Sequence, residues 1–224
     1  MKIYGDSWCF SYIKVPGQNK DLIFGKDLAE CLSIITGKSF ENFGKRRLNN
    51  REILDTVEDN SIVVQTDPLR DEILEYRLPS NESGPRYGFS KEVPNERFGL
   101  IDIVKDRLDK FYSKLPKNCV LFSGASKVDT ELAEKHGLRY IDKSATEILI
   151  PGYTDSYFFD YHFTKENHDF LCQNKLYKRF RQRKHLDHVL RKNSLWSNND
   201  LFANRHATEK SNFIIAEYIA CQLN

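Results

Sequence analysis

Ser7 and His206 are the two side chains in this chain whose types and places suit a shared reaction. Ser7 follows the short β-prone run Lys2-Ile3-Tyr4 through Gly5-Asp6, so it stands where a first strand ends in a tight turn. In a parallel α/β sheet the carboxyl ends of the strands border the crevice in which ligands bind. A serine hydroxyl there becomes a nucleophile once a neighbouring base takes its proton. Its own backbone N–H, opening the next segment, can receive the negative charge that develops on a carbonyl oxygen. His206 lies in Asn204-Arg205-His206-Ala207-Thr208, just ahead of an apolar terminal segment. Imidazole accepts a proton near neutral pH, which is what the serine requires. Taken singly, both features have ordinary explanations: a Gly-Asp-Ser turn and a polar residue near a helix cap. Their combination carries the functional expectation.

Other groupings are less directed. The 175–192 stretch holds eight lysines and arginines with Tyr177 and Phe180 among them, as a phosphate-backbone surface would. The formal net charge is only +2, so a solvated helix face that aids solubility is the plainer reading, and nucleic acid is not the expected partner. A cap that draws in an acidic substrate is the compromise. His185 and His188, with Asp187 between, lack a third ligand at metal-binding spacing, and no metal or cofactor is expected. Gly124-Ala125-Ser126-Lys127 has backbone N–H groups that suit a phosphate but lacks the fuller P-loop glycine pattern. The rings between Tyr157 and Phe163 suit core packing more than sugar stacking. Five scattered cysteines without a CxxC pair suggest free thiols in a reducing compartment. No apolar run reaches the ~20 residues of a membrane span and no signal peptide is evident. A cytoplasmic protein is the expectation.

The elements that must position Ser7 and His206 follow from the periodicity. Strands are expected at 2–4, 39–43, 61–65, 119–122 and 138–141, with 61–65 the clearest because it is continuously apolar, as a strand covered on both faces is. Helices are expected at 27–36, stopped by Gly37, and at 50–57, 97–115, 127–136 and 208–222. Strand and helix alternate as far as 141, which predicts an α/β fold: three layers, α/β/α, around a mostly parallel sheet of about five strands. The chain reads as a single domain, 1–224. It carries an irregular insertion at about 66–97, where four of the seven prolines fall, and a basic helical cap segment at about 153–199. Insertions of that length are usually functional or mobile.

Taken in order, these residues resemble the SGNH (GDSL-like) hydrolase family. Gly5-Asp6-Ser7 matches its first block, and Trp8 follows. Asn42-Phe43-Gly44 falls where the second-block glycine stands. Asn50-Arg51-Glu52-Ile53 resembles an Asn-x-x-Ile element of divergent, often phage-encoded members, and His206 with the apolar run 212–219 matches the last block. The resemblance implies a flavodoxin-like sheet and acyl transfer to water. Ser7 would be the nucleophile and His206 the base, with the N–H groups of Ser7 and Gly44 receiving the oxyanion. Two departures stand out. Ala203 occupies the place of the aspartate that orients the histidine, leaving Asp200 as the nearest candidate. No asparagine follows the third strand in Gln65-Thr66-Asp67-Pro68-Leu69-Arg70, so Asn49, Asn50 or Gln65 is left to replace that oxyanion donor. Asp6, Trp8, Thr66 and Arg70 are the expected substrate contacts. The expected activity is hydrolysis of a carboxylic ester, an acyl or acetyl group on a glycan or lipid. The alternative is a non-catalytic carbohydrate- or protein-binding module on the same scaffold.

Overall fold

The structure is a computed structural model that describes residues 1–14, 21–46, 48–66, 99–124, 127–149, 201–203 and 206–223. Apart from Thr66, the expected insertion at 66–97 lies almost wholly outside these residues, as does the basic segment at 153–199 with its aromatic run and its histidine pair.

The chain opens with β1 (Lys2–Tyr4) and a 3-10 turn (Ser7–Cys9), then the strands β2 (Tyr12–Lys14) and β3 (Asp21–Ile23), which pair antiparallel. There follow α1 (Leu28–Thr36), β4 (Glu41–Asn42), α2 (Asn50–Leu54), β5 (Ser61–Gln65), α3 (Gly99–Lys114), β6 (Val120–Ser123), α4 (Thr130–Lys135), β7 (Arg139–Tyr140) and α5 (Ala145–Leu149). The chain closes with an antiparallel hairpin, β8 (Phe202–Ala203) and β9 (His206–Ala207), and with α6 (Glu209–Leu223).

The main sheet has five strands in the order β4-β1-β5-β6-β7, every pair parallel. In order of the sheet's own strands this is 2-1-3-4-5, a doubly wound order whose direction reverses between β1 and β5. Side chains alternate across a strand, and here alternate residues enter two separate cores. Ile3, Ile62, Val64, Val120 and Phe122 pack with α1, α5 and α6, whereas Tyr4, Val63 and Leu121 pack with α2, α3 and α4. The expected three-layer α/β/α fold is therefore observed.

Helix boundaries follow local chemistry. Asp27 and Glu30 form a reciprocal capping box on α1, and Gly37 closes it in the left-handed conformation, φ +67°. α4 starts at Thr130 rather than at 127 because the Asp129 side chain accepts the N–H of Leu132 at 3.1 Å. α2 stops at Leu54, and a turn onto Ile53 O carries the chain through Val57. Among the described residues no helix is long and apolar enough to cross a membrane.

Candidate functional site

Ser7 leaves β1 at the carboxyl edge of the sheet, beside the point where the winding reverses. Gly5 makes that exit possible: a Cβ there would lie 2.6 Å from Val64 Cβ and 2.8 Å from Cys9 Sγ. Asp6 is buried and caps the 3-10 turn, its carboxylate accepting from Trp8 N at 3.1 Å. The placement makes Asp6 a turn-forming residue whatever else it touches. Ser7 is 8% exposed, and its hydroxyl bonds to no other described residue.

The Trp8 ring lies on Gly124, just past the end of β6, so closely that a Cβ on Gly124 would sit 2.1 Å from Trp8 Cγ. Because β5 separates β1 from β6 in the sheet, the residue after Ser7 reaches across the end of β5. Gly124 is itself held: its carbonyl accepts from the Thr146 backbone N–H and from the Thr146 hydroxyl, each at 3.2 Å. Gly124, the glycine of the stretch singled out as a phosphate candidate, thus seats an indole.

Gly44 and Asn50 have partners that bear directly on their expected roles. Gly44 N–H donates to Asn42 Oδ1 at 2.8 Å, and the Asn42 amide nitrogen donates to Cys9 O at 3.0 Å and to Asp27 Oδ2 at 2.8 Å. The N–H expected to meet an oxyanion is therefore already hydrogen-bonded. Asn42 is the hub that joins the end of β4, the Ser7–Cys9 turn and the cap of α1. Its sequence signal is an asparagine two residues before the glycine, in Asn42-Phe43-Gly44.

Asn50 is buried at the start of α2. Its Oδ1 accepts from Thr66 N at 2.9 Å and from Thr66 Oγ1 at 3.2 Å, and its Nδ2 donates to Thr66 O at 3.1 Å. Asn50 thus stands beside the residue after the third strand of the sheet, where the SGNH resemblance led an asparagine to be expected, but its amide clamps Thr66. Thr66 is 2% exposed. Asn49, the other asparagine considered, caps α2 with Glu52. Gln65 Oε1 accepts from the Tyr112 hydroxyl at 2.5 Å, and Gln65 Nε2 is buried with no partner among the described residues.

His206 lies in β9, opposite Ala203 of β8. The position that would carry an orienting acid is thus the direct cross-strand neighbour of the histidine. β9 packs on the Ser7–Cys9 turn, with Cα atoms within 8 Å, and also on α6. Two ends of the sequence are brought together here, with Ser7 on one element and His206 on the other. Asp200 and Arg70 lie outside the described residues.

The buried thiol of Cys9, the last residue of the Ser7–Cys9 turn, is pushed well up, chiefly by desolvation and then by the charges of Asp6 and Asp27, so it stays protonated and unreactive. Cys9, Cys31, Cys119 and Cys221 are free thiols. No protein-family model matches the chain, and neither the curated proteins nor the solved structures contain a significant match to it.

Proposed function

We propose that the protein is a serine hydrolase of carboxylic esters, a divergent member of the SGNH type, with Ser7 as nucleophile and His206 as base. The observation that carries the reading is the packing of the His206 strand against the Ser7 turn at the carboxyl edge of the sheet. His206 takes the proton of Ser7 Oγ as that oxygen attacks the ester carbonyl. The Ser7 N–H steadies the oxyanion, and the Gly44 N–H joins it when it exchanges Asn42 Oδ1 for the oxyanion. Collapse breaks the C–O bond, and His206 passes its proton to the departing alcohol. Water then attacks the acyl-serine with His206 again as base, releasing the acid and restoring the hydroxyl. The expected substrate is a small acyl group, such as acetyl, on a glycan or lipid alcohol.

The test is release of p-nitrophenol from p-nitrophenyl acetate. Wild type should turn over, and Ser7→Ala and His206→Ala should each fall on the order of 10³-fold or more.

The second reading is a binding module for a carbohydrate or protein on the same scaffold. What favours it is the engaged Gly44 N–H together with alanine at position 203. In that case neither the wild type nor the two variants exceed the uncatalysed rate, and Trp8→Ala weakens ligand binding instead.

A further inference from the structure

Three side chains with no solvent exposure around the two proposed reacting elements are polar: Ser11, Ser211 and Asn212. They form two connected anchors on the first turn of α6. The Ser11 hydroxyl donates to Lys26 O, in the loop before α1. With its proton committed, Ser11 Oγ accepts from Asn212 Nδ2 at 2.8 Å. That choice turns Asn212 Oδ1 away, and it is buried with no partner among the described residues. The second anchor is at Leu201 O, the residue that leads into β8. It accepts from the Ser211 hydroxyl and from Thr208 N at 3.2 Å.

Buried polar side chains cost stability unless bonded, and an orphaned acceptor adds to that cost. Apolar residues of similar size would fill the same space without it. What the hydroxyls and the amide add is location. The carbonyl at Leu201 closes the base of the loop that runs through β8 and β9 to Thr208. The Asn212–Ser11 bond ties the helix to the second residue past the Ser7–Cys9 turn. The strand carrying His206 is thereby fastened on one side to α6, and α6 is fastened to the segment carrying Ser7.

We infer that Ser211 and Asn212 are positioning residues for the His206 strand, holding it in register on the Ser7 turn. The inference rests on the hydrolase reading. It matters most in a chain with alanine at 203, where the fold must supply alignment that a carboxylate would otherwise give. Misplacing a reacting group by about 1 Å can cost ~10²-fold in rate.

The experiment compares wild type with Ser211→Ala, Ser211→Thr and Asn212→Ala, at a temperature where melting curves show each to be folded. Steady-state kinetics use p-nitrophenyl acetate, and Ser7 labelling uses a fluorophosphonate probe. Ser211→Ala and Asn212→Ala should lower kcat ~10–100-fold, with KM changed by less than about twofold, and should slow labelling in parallel. Ser211→Thr, which keeps the hydroxyl, should recover most of the rate. Wild-type kcat and labelling in folded Ser211→Ala and Asn212→Ala overturn the inference and leave the hydrolase reading standing. So does a loss that merely follows the unfolded fraction. A wild type that neither turns over nor labels sinks the hydrolase reading, and the inference falls with it.

Discussion

A methyl group on Gly5 would meet Val64 Cβ at 2.6 Å, Cys9 Sγ at 2.8 Å and the Val64 carbonyl oxygen at 2.9 Å. Two of those obstacles are the backbone and the branched carbon of the central strand β5, which cannot swing aside as the end of a long side chain can. Gly5→Ala should therefore push β1 away from β5 and shift Ser7 with it. Overpacking of this kind costs about 1–3 kcal/mol. A lower urea midpoint together with reduced p-nitrophenyl acetate turnover is expected. Unchanged values for both would mean that the close approach of β1 and β5 has slack. The Gly-Asp-Ser turn was legible because each residue has a local reason to be there: space, cap and hydroxyl. Asn42 was not legible as a hub, because its three partners come from the Cys9 turn, the α1 cap and Gly44. The two capping boxes, Asp27 with Glu30 and Asn49 with Glu52, each lie within one stretch of sequence.

Elements were readable in proportion to their length and continuity. Ser61–Gln65 is apolar enough to announce a strand covered on both faces, and it is the central one. Hairpins β2–β3 and β8–β9 were missed: their strands span two or three residues, and unlike the equally short β1, β4 and β7 they do not fall in the strand–helix alternation that marks the main sheet. The miss matters, because β9 is what presents His206. The five-residue α2 shows how a short element is held: caps at Asn49 and Glu52, and the Asn50 clamp on Thr66. In Asn50→Leu the buried Thr66 N–H and C=O both lose their partner, at roughly 1–3 kcal/mol for each stranded group. Urea unfolding should show a lower midpoint with an unchanged slope. A midpoint equal to wild type would show that the end of β5 is secured by something other than this side chain.

Across the whole molecule, alternation of strands and helices was enough to predict layers but not the order of strands within the sheet. That order depends on which crossover goes left and which goes right, information that resides in the two cores rather than in any local pattern. One consequence at this scale is the response to acid. α3 and α4 cover the same face, and Asp109 of α3 joins the end of α4: it accepts from Lys135 Nζ at 2.8 Å and lies 2.6 Å from His136 Nε2. The Lys135 hydrogen bond first, and the His136 bond second, hold the Asp109 carboxyl below its ordinary value of 3.8. A depressed carboxylate contributes stability that is present above its unfolded value and is lost as pH falls through the folded one. Wild type should therefore unfold at a modestly higher urea concentration than Asp109→Asn at pH 5, modestly because the pair is solvent-screened. The gap should narrow as pH falls below about 4 and close once pH has passed through the lowered value of the folded carboxyl, where wild type is protonated as well. A gap that stays constant down to pH 2 would mean that Asp109 joins the two helices through packing and neutral hydrogen bonds rather than through its charge.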